Sequence, residues 1–285
     1  MPTIGDALYD SSRQLLDAGI QTGSLEASLL LGQATGLDRL RLITSTAEAL
    51  TDEAWDRFQD LLSRRLRREP LQYIMGETEF MGLRFVVSPE VLIPRPDTEI
   101  LVETILDLEE ERGETAPIRA ADVGTGSGAI AVVLAKSLPY LTMVATDVST
   151  GALAVAHANA KAQEVAAQID FRQGDGLAPL DGQFRYLISN PPYIAEREVE
   201  GLEPEVRDFE PHLALTPGQD PLHWYRTFAE AGASYVERGG YLVVEVGMDQ
   251  APEVTALLEA SPHWEGVDAR KDLGGIERVV FARRK

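Results

Sequence analysis

The chain has 285 residues, enough for one large domain or two modest ones, and its 46 Asp and Glu residues exceed its 26 Lys and Arg residues, for a formal net charge of −20. It contains no cysteine, which excludes disulfides and thiolate metal sites, and its four histidines show no ligand spacing, so we expect no bound metal. No long uncharged apolar run and no signal-peptide pattern is present, and we therefore predict a cytoplasmic protein.

The charge also bears on the partner of the protein. A net negative field repels a phosphate backbone, whose neutralisation by Lys and Arg supplies most nucleic-acid affinity. The one basic cluster comprises Arg64, Arg65, Arg67 and Arg68. A basic partner therefore fits the chain better than DNA does, although acidity that serves solubility is an equally open interpretation.

Residues 1–73 show helical periodicity and no strand pattern. Four helices are predicted, and their first turns lie near Thr3, Ser24, Asp38 and Thr51. The second closes near Gly36 and the fourth is stopped by Pro70. We predict a small helical bundle that holds a macromolecular partner, with a passive cap as the alternative.

Residues 74–97 are predicted to form a hairpin or extended linker. Two short β-prone runs flank Gly82, and the prolines of Pro94-Arg95-Pro96 place Arg95 on a stiff loop. A helix through Leu108 follows this loop and begins the last predicted domain, residues 98–285.

Strands and helices alternate regularly in this last domain, which predicts a doubly wound α/β sheet. The strands are predicted at 118–123, 142–147, 168–172, 184–189, 240–246, 264–269 and 277–283, and the helices at 127–137, 150–164, 222–237 and 250–260. The last two strands flank Gly274-Gly275, and a connection this short predicts an antiparallel pair.

Four successive strands end in a glycine loop or a polar residue. The first runs into Asp122-Val123-Gly124-Thr125-Gly126-Ser127-Gly128, where glycines let the backbone approach a nucleotide. Asp147 ends the second, at a spacing suited to ribose hydroxyls, and Asp175 and Gly176 follow the third where an adenine edge would lie. Asn190 follows the fourth. These ends should meet at one rim of the sheet.

The charges near the glycine loop favour S-adenosylmethionine over a dinucleotide. A phosphate ligand would gain from a basic residue there, and none is present. Asp122 and Asp147 instead suit a ligand that carries a sulfonium and an ammonium.

Asn190-Pro191-Pro192-Tyr193 is a rigid turn, because proline fixes φ and carries no N–H, and the neighbouring carbonyls are free to accept from a ligand. An ordinary turn could use the same residues. Combined with a methyl donor, the motif makes methyl transfer to a planar amide or amine nitrogen the leading chemistry.

Further motifs extend along the chain, namely Ile93-Pro94-Arg95-Pro96-Asp97-Thr98-Glu99, Phe209-Glu210-Pro211, Tyr225-Arg226, Glu245-Val246-Gly247 and Asp272-Leu273-Gly274. With the helical N-terminal region, the glycine loop and Asn-Pro-Pro-Tyr, they resemble the peptide chain release factor glutamine N5-methyltransferases, the HemK/PrmC family. The glycine loop is common to most class I methyltransferases, and Asn-Pro-Pro-Tyr is shared with adenine-N6 enzymes. The Arg-Pro-x-Thr-Glu loop and the bundle are more specific.

The resemblance implies a Rossmann-like, mostly parallel seven-stranded sheet and an S-adenosylmethionine-dependent enzyme that yields S-adenosylhomocysteine. Its substrate would be the glutamine of the Gly-Gly-Gln motif in class 1 release factors, the proteins of translation termination. The cofactor-binding residues would be Asp122, Gly124, Thr125, Gly126, Ser127, Gly128, Asp147, Asp175, Gly176 and Asn190.

The same resemblance implies roles at the reacting centre. The Asn190 side-chain oxygen and the Pro191 carbonyl would accept hydrogen bonds from the glutamine amide, and Tyr193 would pack on the amide plane. The substrate-binding residues would be Asn190, Pro191, Pro192, Tyr193, Arg95 and Glu99. Segment 195–220 would either close over the bound loop or form a surface connection.

Two positions depart from the family pattern. Gly176 stands where an aromatic residue often packs against the adenine, so the identity of the adenine wall is left open. Pro221 stands where glycine usually follows Asp220.

Three other functions remain as alternatives. An adenine-N6 methyltransferase of DNA or RNA would need a basic groove, which the charge disfavours. A non-catalytic adapter that binds S-adenosylmethionine would not need the Asn-Pro-Pro-Tyr motif, and a dehydrogenase leaves that motif unexplained. We expect a monomer without stable nucleic-acid binding or membrane association.

Overall fold

A computed structural model describes all 285 residues, and the chain divides into two compact units. The first, the helical unit, comprises Met1–Gly76 together with Glu203–Phe209. The second, the sheet unit, comprises Glu77–Leu202 and Glu210–Lys285, and it includes the hairpin that the sequence assigned to a separate linker. No helix is long and apolar enough to cross a membrane.

The helical unit is built from six helices. They are α1 Ile4–Asp17, α2 Gly23–Thr35, α3 Arg39–Thr44, α4 Asp52–Leu66, α5 Leu71–Met75 and, from the later segment, α10 Pro204–Arg207. Of these, α1, α3 and α4 have side-chain N-caps. Thr3 and Asp6 form the predicted reciprocal cap of α1, and Thr51 caps α4. Leu15, Leu30 and Phe58 are fully buried in the shared core. The short α5 was not predicted, because five residues show too little periodicity.

The segment Glu203–Phe209 belongs to the helical unit through buried ion pairs. The Arg65 guanidinium is bonded to Glu26 at 2.5 Å and to Glu205 at 2.9 Å, and Arg68 also reaches Glu205 at 2.7 Å. The Arg65 side chain is only 6% exposed. Removing one partner of such a pair would leave a buried charge uncompensated, so these contacts fix the segment on α4.

The sheet unit contains a hairpin and a seven-stranded sheet. The strands are β1 Glu77–Phe80, β2 Leu83–Val86, β3 Ile118–Val123, β4 Leu141–Asp147, β5 Ile169–Gln173, β6 Phe184–Ser189, β7 Val236–Glu245, β8 Trp264–Lys271 and β9 Glu277–Arg284. The remaining helices are α6 Glu99–Arg112, α7 Ala129–Ser137, α8 Thr150–Ala162, α9 Glu196–Val199, α11 His212–Leu215, α12 His223–Glu230 and α13 Ala251–Ala260.

The large sheet has the order β5-β4-β3-β6-β7-β9-β8. Its first five strands are parallel, and β9 runs antiparallel to both β7 and β8, as the short Gly274-Gly275 connection predicts. Helices cover both faces, and consecutive residues of β6 enter opposite cores: Tyr186 and Ile188 lie in one, Leu187 in the other. The strand order reverses between β3 and β6, the place where α/β sheets bind ligands.

One predicted helix is wrong in extent. Residues 222–237 were expected to be helical throughout, but α12 ends at Glu230 and β7 already begins at Val236. Gly239, with φ at +77°, accompanies an irregular register between β6 and β7 and does not end the strand. The strand predicted at 240–246 therefore begins four residues earlier than expected.

Candidate functional site

A cavity of about 320 Å³ opens in the sheet unit at the carboxyl ends of β3, β4, β5 and β6. Of the residues predicted from the sequence, its lining includes Arg95, Gly124, Thr125, Gly126, Ser127, Asp147, Asp175, Gly176, Asn190, Pro191 and Pro192. Its size falls within the range of small-molecule sites. Asp122, Gly128, Glu99 and Tyr193 do not line it.

The glycine loop adopts a conformation that only glycine takes up without strain. Gly124, Gly126 and Gly128 have φ values of +76°, +54° and +79°. A Cβ on Gly128 would lie 3.0 Å from the Ala156 side chain on α8, so this glycine allows close packing beside the loop. The loop thus joins β3 to α7 with its backbone exposed to the cavity.

Asp122 lies beneath the glycine loop and is fully buried. Its Oδ2 accepts a hydrogen bond from the Thr125 hydroxyl at 2.6 Å, whereas Oδ1 has no partner. Burial raises the pKa of Asp122 to about 7, and the nearby charge of Asp147 adds to the increase. No positively charged side chain pairs with the Asp122 carboxyl. A cationic ligand could supply this missing positive charge.

Asp147, at the end of β4, borders the cavity, and both of its carboxylate oxygens accept hydrogen bonds from the backbone. Its Oδ2 accepts from the Gly126 N–H at 2.9 Å, and its Oδ1 accepts from the Ser149 N–H at 2.9 Å. Each carboxylate oxygen has a second lone pair, so the group can still accept from ligand hydroxyls. Gly174 donates to the Asp147 carbonyl at 3.0 Å, which places Asp175 and Gly176 next to this acid.

Asn190 extends the end of β6 and is oriented by a side chain from the Arg-Pro loop. Its Nδ2 donates to the Thr98 hydroxyl at 3.1 Å. Ser189 donates to the Val123 carbonyl at 2.7 Å and thereby ties the ends of β6 and β3 together. Neither Asn190 Oδ1 nor the Pro191 carbonyl accepts a hydrogen bond from elsewhere in the chain. These two oxygens are available to a ligand.

Glu245 lies behind this turn. The sequence predicts it only as part of the Glu245-Val246-Gly247 motif and assigns it no role. Glu245, at the end of β7, is 2% exposed, and its Oε2 has no partner. The Tyr193 hydroxyl donates to its Oε1 at 3.4 Å. Burial raises the pKa of Glu245 to about 7, and hydrogen bonding to the Thr98 hydroxyl opposes the increase. Burial likewise raises the pKa of Tyr193.

The charged residues of the Arg-Pro loop have different partners. Arg95 borders the cavity and pairs with Glu210, whose own pKa is raised by burial. Glu99, in contrast, accepts a hydrogen bond from the Met81 N–H at 2.8 Å and so holds the turn of the hairpin. Met81 has a φ of +50°, which this contact stabilises.

Two further stretches line the cavity, the first within segment 195–220, which was predicted as either a lid or a surface connection, and the second not assigned to the site. They are residues 211–217, through Pro211, Leu213, Ala214, Thr216 and Pro217, and the first turns of α12, through His223, Trp224 and Phe228. The only signal for the second stretch was the adjacent Tyr225-Arg226 motif, which marks a place in the chain but not a direction toward the cavity.

Comparisons with known proteins agree with this architecture. A family model described as the PrmC N-terminal domain matches residues 6–76, and one described as the methyltransferase small domain matches residues 96–203. Crystal structures of a Pyrococcus furiosus methyltransferase and of the hMettl16 catalytic domain superpose with TM-scores of 0.54 and 0.57. They cover 78% and 79% of this chain, and it covers 98% and 82% of theirs, at 15% and 16% identity, so they bear on the fold alone.

Full-length relatives are much more similar. The release factor glutamine methyltransferase of Geobacter sulfurreducens is 42% identical over 99% of this chain and 96% of its own length. That of Moorella thermoacetica is 42% identical over 99% of both chains. The chain belongs to the release factor glutamine methyltransferase family, and its sheet unit has the class I S-adenosylmethionine-dependent methyltransferase fold.

Proposed function

We propose that this protein transfers a methyl group from S-adenosylmethionine to the side-chain amide N5 of the glutamine in the Gly-Gly-Gln motif of class 1 peptide chain release factors. The names of the full-length relatives support the substrate class. The observation that carries the chemistry is the orientation of Asn190, whose amide nitrogen is engaged by Thr98 while its oxygen has no partner in the chain.

The residues at the strand ends fit the methyl donor. Asp122 has an unpartnered buried oxygen and a raised pKa, so a nearby sulfonium or ammonium would stabilise its carboxylate. Asp147 would accept from the ribose hydroxyls, and the glycine loop allows close approach of the ligand to the backbone. When bound, S-adenosylmethionine supplies an electrophilic methyl group on sulfur.

Asn190 and Pro191 would act on the acceptor amide. A glutamine amide nitrogen is a weak nucleophile, because its lone pair is delocalised into the carbonyl. Asn190 Oδ1 and the Pro191 carbonyl would accept hydrogen bonds from its two N–H groups, hold the nitrogen in line and stabilise the positive charge that develops on it. The proton leaves the nitrogen after transfer, so no strong base is needed.

The other predicted residues would support this arrangement. Pro192 and Arg95 border the cavity and would shape the entrance for the substrate loop. We propose that Tyr193 acts from the protein side of the turn, where Gln250 donates to its carbonyl at 3.0 Å, and excludes water there. Glu99 would not contact the substrate. It would act indirectly, by stabilising the hairpin turn at Met81.

The helical unit would hold the release factor. Its α3 exposes two apolar side chains three positions apart, Leu40 at 69% and Ile43 at 61%, which would give a partner an apolar contact on one face of the helix. Because release factors act in translation, we place the reaction in the cytoplasm. A monomeric state and the absence of stable nucleic-acid binding remain predictions.

The test is incubation with S-adenosylmethionine and a purified release factor, followed by intact mass and site mapping. We expect one added methyl group on the Gly-Gly-Gln glutamine and none on a release factor whose glutamine is replaced by alanine. Methylation of that control would overturn the substrate assignment, and binding of S-adenosylmethionine without any methyl transfer would favour a non-catalytic adapter.

Asn190→Ala should slow the transfer by roughly a hundredfold or more, by analogy with removal of an oxyanion-hole donor. The rate is measured as label incorporated at saturating release factor. A rate within a few-fold of the unsubstituted protein would contradict the role of the Asn190 oxygen.

A further inference from the structure

Gly176 borders the cavity next to Asp147, the acid at the end of β4. The ring of Trp224 fills the space that a side chain at position 176 would occupy. A Cβ built on Gly176 would lie 2.5 Å from Cζ3 and 3.0 Å from Cη2 of Trp224. The φ of Gly176 is +52°, a conformation that also favours glycine. A side chain at position 176 and the Trp224 indole could therefore not occupy this space together.

The Trp224 ring is held in place by the residues around it. On α12, Phe228 stacks on it four positions later, with centroids 6.1 Å apart and the planes inclined by 27°. His223 meets it edge to face at 5.2 Å. Phe228 is 1% exposed, so the stack is fixed to the core. A larger residue at 176 would therefore have to displace the indole from this stack.

Trp224 is half-buried and borders the same cavity as Asp147, Val148 and Asp175. Val148 is 44% exposed, so this part of the cavity has an aliphatic as well as an aromatic surface next to the acid. Adenine is the planar, aromatic part of the methyl donor, and aromatic side chains bind bases by stacking on their faces.

We propose that Trp224 is the aromatic wall on which the adenine of S-adenosylmethionine stacks, and that Gly176 is required because it admits the indole. This inference rests on the cofactor of the proposed function. The aromatic surface comes from α12 and not from the loop after β5, and residues 176 and 224 form one compensating pair.

The test measures binding of S-adenosylhomocysteine by calorimetry, without any release factor. Trp224→Ala should weaken binding about tenfold or more, and Trp224→Phe, which keeps a ring, should change it only a few-fold. Circular dichroism and the melting temperature establish that the variants are folded. Equal affinity of folded Trp224→Ala and unsubstituted protein would overturn the proposal.

Fluorescence gives a readout that a structural role would not affect. The chain has three tryptophans, of which Trp264 is buried in the core and Trp55 lies in the helical unit. Stacking on adenine should quench Trp224, so Trp224→Phe should lose the ligand-dependent change while still binding. Trp55→Phe, the matched control, should keep it. A change that persists without Trp224 contradicts the stacking.

The pairing of the two positions is tested by a double-mutant cycle. Gly176→Ala should weaken binding in the unsubstituted protein, because it displaces the indole, and should have little further effect in a Trp224→Ala background. Additive effects would show that the positions are independent. Because every arm uses S-adenosylhomocysteine alone, a wrong release factor assignment would leave these results unchanged.

Discussion

Asn190 is oriented by a hydroxyl group 92 residues earlier in the chain. Thr98 Oγ1 accepts from Asn190 Nδ2 at 3.1 Å, and its interaction with Glu245 opposes the rise that burial causes in the pKa of that acid. The amide nitrogen of Asn190 therefore faces Thr98. The oxygen is thereby turned to the opposite side, where a substrate amide can use it.

Thr98→Val should test this orientation, since valine has the same shape but neither accepts nor donates a hydrogen bond. We expect methyl transfer to fall about tenfold, the cost of an unsatisfied polar group, with unchanged affinity for S-adenosylhomocysteine. Thr98→Ser should recover most of the rate. Full activity in Thr98→Val, measured as kcat on a release factor, would show that Asn190 is positioned without the hydroxyl.

Asp122 predicts a pH dependence of donor binding. Burial raises its folded-state pKa to about 7, so its carboxyl stabilises the fold at low pH and this stabilisation is lost as the pH rises toward 7. A cationic ligand favours the carboxylate, so S-adenosylmethionine should bind roughly five- to tenfold more tightly at about pH 8 than at about pH 6.

Calorimetry at the two pH values checks this prediction. Asp122→Asn is the control, because any titration of the ligand itself is common to both proteins and only the contribution of Asp122 disappears. The same pH slope in both proteins would rule out Asp122 as its origin.

The strand ends show which site residues a sequence can reveal. Glycine loops, acids at the end of β4 and Asn-Pro-Pro-Tyr are local patterns, and parallel strands bring them to one rim of the sheet, as found in the cavity lining. Trp224 was missed because its role depends on the space left by Gly176, a contact between distant segments that no periodicity encodes.

Among the helices, too, some could be predicted from local sequence patterns and others could not. Helices with strong caps begin where the sequence indicates: α1 with Thr3, α3 with Asp38 and α4 with Thr51. The segment 195–220 was predicted only as a lid or a connection, and it contains three four-residue helices, α9, α10 and α11. Such short helices form through tertiary contacts and not through propensity, and α10 is held by the pair of Arg65 with Glu205.

The helix α3 offers a test of partner binding. Replacing both Leu40 and Ile43 by Asp should raise the KM for the release factor about tenfold, because an exposed apolar contact is lost and the added charges are desolvated on docking. The affinity for S-adenosylhomocysteine and the melting temperature should not change.

Leu16→Asp controls for a general effect of added charge, since Leu16 is also an exposed leucine of the helical unit, on α1. An unchanged KM in the Leu40 and Ile43 variant would exclude α3 as the docking surface.

The net charge of −20 predicts that binding of the release factor depends on ionic strength. If the release factor presents a basic surface, raising the ionic strength from about 0.01 M to about 0.1 M shortens the Debye length from about 30 Å to about 10 Å and should raise its KM several-fold. The kcat and the affinity for S-adenosylhomocysteine should be nearly constant. A KM independent of salt would contradict electrostatic docking, and salt-sensitive retention of DNA would support the adenine-N6 alternative instead.

The helical unit is discontinuous in sequence, because Glu203–Phe209 lies within it although both flanking segments belong to the sheet unit. A shortened protein of residues 77–285 would keep Glu205 but lose Arg65 and Arg68, so Glu205 would have neither of its cationic partners. The two flanks of that helix, residues 194–202 and 210–217, would then be joined by a stretch without these ion pairs to α4. Exchange of the N-terminal region between relatives therefore has to include residues 203–209, and recombination at a single crossover near residue 76 would combine ion-pair partners from different parents.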